Sequence, residues 1–357
     1  MMENNTKILM CGNHNSNKGG MTTVINQILD KDWKEEHIQI KFIPTYYRGN
    51  KILTIAFFAL GYLRVFFALL FYKPDVFYTH MSVRGSYTRT KALQKLSRRF
   101  SIPIVVHLHG SEFEDWYNNE SADRKKEISS FISNCDAFIV LGQKWERFVK
   151  EISPSANIRQ IHNCISVPST TVSWDENEIR FLFLGVLIPR KGVKDLLKAI
   201  KHLDEQHAID QCVFDIGGTG SEEEQLRKYV DDNALSKKVN FLGWVAGDAK
   251  NKVIEKSSVF VLPSYNEGLP VAILEAMSYG LPVISTNVGD IADAVRDDVN
   301  GYLIEPGDID GLANAILKTI DKDKWDRLSK NSKYIAEKEF DIEQFYGALV
   351  SVWKSAS

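Results

Sequence analysis

The chain has 357 residues, 44% of them hydrophobic and 25% charged, which is a globular composition at a length that predicts about two domains. It carries 44 Lys and Arg against 46 Asp and Glu, so it lacks the basic excess of nucleic-acid-binding proteins. Its four cysteines are widely spaced without a CxxC pair, which excludes a disulfide framework and a zinc finger. With an N-terminus unlike a signal peptide, this indicates a cytoplasmic protein.

Short β-rich runs alternate with helical stretches along the whole chain, and several of these runs are continuously apolar. The predicted strands of the first half are 7–12, 38–45, 75–80, 102–110, 137–142 and 158–163. The predicted strands of the second half are 179–185, 212–218, 238–243, 259–264, 282–286 and 301–306. Continuous apolar runs are typical of parallel strands covered on both faces. The pattern therefore predicts an α/β protein with two doubly wound domains.

Residues 52–72 form a run of 21 residues with a single charge, Arg64, and the lysines 51 and 73 flank it. About 20 apolar residues are enough to cross a bilayer. However, a charge in mid-run is unfavourable at the bilayer centre, and the run lies between two predicted strands, where a crossover helix belongs. We expect a helix that does not span. Whether it is partly buried in its own domain or lies in a membrane interface stays open.

A polar stretch without periodicity, 167–178, predicts the link between domains at 1–170 and 171–341, with a helix at 342–357. Residues 1–172 contain 22 Lys and Arg but 15 Asp and Glu, a net charge of +7, and the remainder contains 22 and 31, a net of −9. Much of the excess falls within 84–99. This cluster is either a solvated helix face or a surface that attracts anionic lipid head groups or a phosphorylated acceptor.

The most informative motif follows the predicted strand 259–264. Glu267 lies just before a helix predicted to start at about Pro270, and Glu275 lies inside it, with seven residues between the two glutamates. The free N–H groups of Gly268 and Leu269 would then favour a phosphate or polar sugar oxygens. Two carboxylates beside that point can accept hydrogen bonds from diols.

This segment resembles the E-x7-E motif of retaining glycosyltransferases with the GT-B fold, in glycosyltransferase family 4. The resemblance covers nearly the whole chain. Its other parts are FLGVLIPRKGV, FLGWV, PVISTNVGDIADAV, NGYLIEPGD, the Gly19-Gly20 loop and the HGSE segment. It implies two Rossmann-like domains facing across a cleft, with the helix 342–357 crossing back onto the first domain.

The resemblance also implies the activity. It is transfer of a sugar, with retention of anomeric configuration, from a UDP- or GDP-linked donor to a lipid-linked or growing surface polysaccharide. The second domain would bind the donor and the first the acceptor. No metal or other cofactor is expected. The protein would act in the cytoplasm, and it could bind peripherally to the anionic inner face of the cytoplasmic membrane.

The resemblance assigns roles to single residues of the donor site. Glu275 corresponds to the glutamate that binds the ribose hydroxyls, Glu267 to the one near the transferred sugar, and Lys191 to the lysine that neutralises the diphosphate. Where the family commonly has an arginine, this chain has Val186, and Arg190 is the candidate that replaces its charge. The other donor-side candidates are Gly19, Gly20, Gly185, Gly268, Leu269, Trp244 and Val245.

In the first domain, His107 and His109 alternate on a predicted strand and therefore point the same way. With His80 they suggest a metal site, which we do not expect because no carboxylate or cysteine pattern completes it. The family places the histidine of the His-Gly pair near the reacting centre, which makes His109 a catalytic candidate beside Glu267 and Lys191. The acceptor-side candidates are Gly110, Glu112 and Asn163.

Two other functions compete with sugar transfer. One is a nucleotide-sugar epimerase on the same fold, and the other is a non-catalytic subunit that binds a nucleotide sugar and scaffolds a membrane assembly. The loss of the usual arginine at Val186 favours the scaffold. The intact Glu267, Glu275, Lys191 and His109 favour the enzyme.

Overall fold

The computed structural model describes residues 5–17 and 19–357. The chain forms two compact units. Unit 1 contains the residues up to Asn163 together with Glu343–Ser357, and unit 2 contains Cys164–Ile342.

Unit 1 is built on a six-stranded sheet in the order β2-β1-β3-β4-β5-β6, and the neighbouring strands all run parallel. The strands are β1 Thr6–Asn13, β2 Ile38–Tyr46, β3 Val76–Met81, β4 Ile104–Leu108, β5 Ala137–Val140 and β6 Ile158–Gln160. The helices are α1 Gly20–Asp30, α2 Lys51–Phe67, α3 Gly85–Arg99, α4 Phe113–Asn118, α5 Ala122–Ser133 and α6 Gln143–Ile152. Every residue of β3, β4 and β5 is buried, as expected for parallel strands covered on both faces.

Unit 2 repeats this design with the order β12-β11-β10-β7-β8-β9, again with parallel neighbours. Its strands are β7 Ile179–Leu184, β8 Cys212–Gly217, β9 Val239–Gly243, β10 Val259–Leu262, β11 Val283–Thr286 and β12 Gly301–Ile304. Its helices are α7 Val193–Glu205, α8 Glu223–Asp232, α9 Gly247–Glu255, α10 Val271–Ser278, α11 Ile291–Ala294, α12 Ile309–Thr319 and α13 Lys322–Glu339.

The predicted α/β class with two doubly wound domains is confirmed, since each of the twelve predicted strands overlaps an observed one. The largest difference in bounds is at 102–110, where β4 covers only Ile104–Leu108. His109 and Gly110 therefore follow the strand and lie in the loop at its carboxyl end, where parallel sheets place their ligand-binding groups.

The last helix, α14 Ile342–Ala356, belongs to unit 1 from Glu343 onward. The Tyr346 hydroxyl donates a hydrogen bond of 2.8 Å to the Gln27 carbonyl. The fully buried Trp353 contacts Trp33 and Tyr78 with ring centroids 5.3 Å apart in each case. The stretch 167–178, in turn, contains no helix or strand, and Val172 N donates to the Tyr279 carbonyl within unit 2.

Helix α2 is the one helix in the described ranges that is long and apolar enough to cross a membrane, when it is counted through Tyr72. The Asn50 side chain accepts a hydrogen bond of 2.9 Å from Leu53 N and caps its start. The helix continues as a π-helical turn, Ala68–Tyr72. The expectation of a helix between two strands is confirmed, because α2 lies between β2 and β3 in the chain.

Each sheet has a point where the strand order reverses. In unit 1 the chain moves from β1 outward to β2 and then to β3 on the other side of β1. In unit 2 it moves from β7 outward to β8 and β9 and then to β10 on the other side of β7. Ligands of doubly wound proteins bind beyond the carboxyl ends of the strands at such a point. The loops after β7 and β10, and those after β1 and β3, are therefore the places to look for a site.

Candidate functional site

The loops after β7 and β10 meet closely in unit 2. Gly192 follows Arg190 and Lys191 with φ of 69°, and a Cβ placed on it would lie 2.0 Å from the Pro263 carbonyl oxygen. Tyr265 N donates a hydrogen bond of 2.7 Å to the Arg190 carbonyl. Only glycine fits both this conformation and this contact. The sequence Arg-Lys-Gly therefore holds two cations beside the segment that carries Glu267.

Lys191 and Glu267 form an ion pair with 2.5 Å between Nζ and Oε1. Both side chains are largely buried, at 14% and 8% exposure. Arg190 lies alongside, with Nη1 3.8 Å from Glu267 Oε2 and 2.5 Å from the Asn266 carbonyl oxygen. The switch point of unit 2 therefore holds two cations around one carboxylate, which gives it the positive charge that a diphosphate requires.

Glu275 lies on α10, and its carboxylate pairs with Lys250 of α9. The helix begins at Val271, with Pro270 in extended conformation as its N-cap. Gly268 and Leu269 therefore immediately precede the N-terminus of the helix. The carbonyl of Gly268 accepts a hydrogen bond of 3.0 Å from Asp290 N.

The loop after β7 also carries Gly185 and Val186. A Cβ on Gly218, whose φ is 147°, would lie 1.7 Å from the Gly185 carbonyl oxygen, so the loops after β7 and β8 touch through their backbones. Val186 is 42% exposed, and Arg190 donates a hydrogen bond to the Asn266 carbonyl. The expectation that Arg190 replaces the missing arginine stays a prediction.

Trp244 and Val245 follow β9 at the edge of the same row of loops. Gly218 N donates a hydrogen bond of 2.7 Å to the Gly243 carbonyl, and a Cβ on Gly217 would lie 3.0 Å from Val245 Cγ2. The Trp244 side chain is 41% exposed. The predicted nucleobase loop therefore adjoins the glycine-rich loop after β8.

In unit 1, Gly19 is the N-cap of α1 with φ of 134°, a conformation that favours glycine. Within the ranges the structure describes, a Cβ on Gly19 or Gly20 would meet no atom within 4 Å. These two residues are open at the end of the loop that follows β1, at the switch point of unit 1. The geometry fits a backbone that a ligand can approach.

Three histidines gather at the carboxyl ends of β3 and β4. The parallel register pairs His80 with His107, and the backbone N–H of His109 donates 2.8 Å to the Met81 carbonyl. His80 Nδ1 and His109 Nε2 are 2.9 Å apart and share a hydrogen bond. The Tyr78 hydroxyl lies 2.7 Å from His107 Nδ1. The ring of the predicted catalytic His109 is thus held by His80, which sequence reasoning had considered only as a metal ligand.

Burial favours the neutral form of these rings. It lowers the pKa of His109 to about 3 and, together with the neighbouring His109, holds the pKa values of His80 and His107 well below the ordinary value. A neutral imidazole can accept or donate one hydrogen bond at each nitrogen. His109 therefore suits a polar contact with a sugar hydroxyl better than a cationic contact with a phosphate.

Ligand nitrogens of the same three histidines lie within 4.8 Å of one another, so the cluster could hold a metal ion. His80 and His109 already use one nitrogen each on the other, and His107 uses one on Tyr78. The expectation that the protein needs no metal stays a prediction.

The acceptor-side candidates lie near this cluster or at the end of unit 1. A Cβ on Gly110 would lie 2.9 Å from Ser82 Oγ, so glycine permits the loops after β3 and β4 to touch. Glu112 pairs with Arg84 at 2.6 Å, and both side chains are substantially exposed. Asn163 is buried.

Two known protein families match most of the chain. The family described as Glycosyl transferases group 1 matches residues 170–338. The family described as Glycosyltransferase Family 4 matches residues 19–167. The chain is a family 4-type GT-B glycosyltransferase.

A curated relative of this glycosyltransferase is the UDP-Gal:alpha-D-GlcNAc-diphosphoundecaprenol alpha-1,3-galactosyltransferase of Escherichia coli. It is 28% identical over 328 residues, which are 87% of this chain and 82% of the relative. Among solved structures, sucrose-phosphate synthase of Thermosynechococcus elongatus superposes with a TM-score of 0.82 at 18% identity, covering 99% of this chain and all of that one. HepE of Anabaena in complex with UDP gives a TM-score of 0.78 at 19% identity, covering 98% and 100%.

Several residues of the glycosyltransferase site were not predicted from the sequence. Gly289, with φ of 57°, allows its backbone to lie against Glu267, since a Cβ there would be 2.1 Å from the Glu267 carbonyl oxygen. Lys250 pairs with Glu275, and Gly192 fixes Lys191. The glycines could have been suspected from their places after predicted strands. Lys250 had no distinguishing pattern.

Proposed function

We propose that this glycosyltransferase moves a sugar from a nucleotide-diphosphate sugar to a lipid-linked or growing surface-polysaccharide acceptor, with retention of anomeric configuration. The observation that carries the proposal is the largely buried Lys191–Glu267 pair, with Arg190 beside it, at the switch point of unit 2. A diphosphate leaving group needs such a cation, because negative charge grows on it as the glycosidic bond breaks.

Unit 2 binds the donor in this proposal. Lys191 exchanges Glu267 for the diphosphate, and Glu267 is then available to the hydroxyls of the transferred sugar. Glu275 accepts hydrogen bonds from the ribose when it turns from Lys250. Trp244 and Val245 border the nucleobase. The curated relative that uses UDP-Gal and the UDP complex of HepE support a UDP-linked donor over a GDP-linked one.

Unit 1 binds the acceptor, with Gly110, Glu112 and Asn163 as its candidates. The bond from the anomeric carbon to the diphosphate oxygen breaks while an acceptor hydroxyl oxygen bonds to the same face of that carbon. The acceptor proton passes to the leaving phosphate oxygen. His109, as a neutral imidazole, orients a sugar hydroxyl, and Arg190 and Lys191 supply the positive charge without a metal ion.

The same relative acts on a diphosphoundecaprenol-linked sugar, which supports a lipid-linked acceptor. An enzyme with such an acceptor works in the cytoplasm at the inner face of the membrane, since nucleotide sugars are soluble and the acceptor is not.

The test combines a donor screen with an analysis of the product. Purified protein is incubated with UDP- and GDP-linked sugars and a short-chain lipid diphosphate sugar. We expect one UDP-sugar to give a lengthened product, whose one-bond C1–H1 coupling shows the anomer of the donor. The opposite anomer would overturn retention. Interconversion of the donor sugar without an acceptor would assign an epimerase, and nucleotide binding without turnover of any acceptor would assign the scaffold.

A further inference from the structure

The surface of unit 1 carries a long apolar face that the chemistry of the donor site does not use. Fourteen large hydrophobic side chains are exposed in the described ranges, and eight of them lie between Lys51 and Tyr72. They are Ile52, Leu53, Ile55, Leu60, Leu63, Phe67, Leu70 and Phe71. Isolated exposed apolar residues are ordinary, whereas a contiguous patch marks an interaction surface. We call this set the apolar face.

The apolar face is one side of a single helix. Positions 52, 55, 59, 63, 67 and 70 follow a spacing of three to four residues, and all of them are exposed. The opposite side is buried through Gly61, Val65, Ala68 and Leu69. A Cβ on Gly61 would lie 3.1 Å from the Pro44 carbonyl oxygen, so the helix lies directly on β2. Because one side of the helix is fixed to its own domain, lipid cannot surround it, and the helix lies along the surface of unit 1.

Positive charge surrounds the apolar face. Residues 46–74 contain Arg48, Lys51, Arg64 and Lys73 and neither Asp nor Glu. Phe66 contacts Phe100 with ring centroids 5.6 Å apart, and this contact brings the exposed Arg98 and Arg99 at the end of α3 to the same surface. A combination of exposed apolar side chains with surrounding Lys and Arg favours anionic bilayers.

Arg64 is the one charge within the face itself, and it is exposed. A bilayer interface accommodates it because the long side chain can direct its guanidinium to the head groups. A second copy of the chain is a poorer partner, since a symmetric contact would place these cations against one another without an acidic residue between 46 and 74 to balance them.

We propose that the apolar face of residues 51–72 inserts into the interfacial region of an anionic lipid bilayer and holds unit 1 on it. This inference goes beyond the proposed function, because it names the surface of unit 1 that contacts the bilayer and holds for any donor sugar. It also separates the two possibilities that the sequence left open for this helix, since the structure shows one buried side and one exposed apolar side.

The test uses the full chain and vesicles of phosphatidylcholine, alone or with 30% phosphatidylglycerol. We expect at least tenfold tighter binding to the anionic vesicles, weakened by salt, in a sedimentation assay. The variant Ile55→Gln/Leu63→Gln/Phe67→Gln/Phe71→Gln should lose at least tenfold of that binding. The control Val299→Gln/Tyr334→Gln removes exposed apolar side chains from unit 2 and should bind as the wild type does. Circular dichroism and the melting temperature check that each variant is folded.

A second measurement reports insertion directly. The native cysteines are all buried, so a polarity-sensitive dye can be attached through Leu63→Cys, and its emission should shift to the blue on anionic vesicles. Unchanged emission, or equal vesicle binding by the fourfold variant and the wild type, would overturn the proposal. Self-association that the fourfold variant abolishes, without vesicle binding, would assign the face to a second copy instead. Transfer to a water-soluble short-chain acceptor should persist in the fourfold variant, so a failed proposal here is distinguishable from a failed function.

Discussion

Neutral substitutions of Lys191 and Glu267 should have opposite effects on nucleotide affinity. In the free protein Lys191 is bound to Glu267 at 2.5 Å, and on donor binding it must turn to the diphosphate. Lys191→Met should therefore weaken nucleotide binding. Glu267→Gln removes the anion that competes for the lysine, so it should leave UDP binding unchanged or tighten it.

The magnitude follows from the charges. Two unit charges 4 Å apart interact by about 4 kcal/mol at an effective dielectric constant near 20. Because Lys191 gives up Glu267 when it binds the phosphates, roughly half of this remains as net gain, about 2 kcal/mol. At about 1.4 kcal/mol per factor of ten, Lys191→Met should raise the dissociation constant of UDP by about 30-fold.

Isothermal titration calorimetry with UDP at constant salt measures this effect. Lys201→Met is a matched control, because its lysine forms an ordinary surface pair with Glu205 at 3.7 Å, and it should bind as the wild type does. Urea unfolding reports whether either variant has lost stability, since breaking a buried pair can cost about 3 kcal/mol or more. If Glu267→Gln weakened UDP binding as much as Lys191→Met, the competition between carboxylate and phosphate would be refuted.

Three further predictions concern other residues. The pKa values of His80, His107 and His109 are lowered in the folded protein, so the unfolded chain binds more protons. The free energy of unfolding should therefore be highest above about pH 6.5 and fall with falling pH, by up to roughly 4 kcal/mol per pH unit for three groups. Urea unfolding at pH 7, 6 and 5 should show a smaller decrease for His107→Phe than for the wild type, and equal decreases would contradict this. Gly192→Ala should destabilise unit 2 by roughly 1–3 kcal/mol or more and displace Lys191, whereas Gly347→Ala, whose Cβ meets nothing described within 4 Å, should be neutral or stabilising by roughly 0.5–1 kcal/mol; equal melting temperatures would count against the contact with Pro263. Dialysis against EDTA should leave the rate of sugar transfer unchanged, and the purified protein should contain no stoichiometric metal. Bound zinc that is lost in His107→Ala would instead place a metal in the histidine cluster.

Most strands were predictable because they are short apolar runs between loop residues, as is typical of parallel strands covered on both faces, although β2 and β6 also carry polar residues. The placement of the two glutamates was also predictable, since Glu267 lies in the loop after β10 and Glu275 lies on α10. The helix predicted to start at about Pro270 begins at Val271, with Pro270 in extended conformation as its N-cap.

The partners of the candidate residues were not predictable, because they depend on strand order and register. His80 meets His109 only because β3 lies beside β4, and Lys191 meets Glu267 only because β10 lies beside β7. Composition likewise could not show which side of the helix 51–72 is exposed, because apolar residues occupy both sides.

The assigned site is tested by comparing sugar transfer by the purified chain and by Glu267→Gln, with a labelled UDP-sugar and a lipid-linked acceptor. We predict a lengthened acceptor with the wild type and a rate lower by roughly 100-fold or more with the variant, as for other losses of transition-state stabilisation, although the variant still binds UDP. Transfer by Glu267→Gln at the wild-type rate would contradict the assignment of this site.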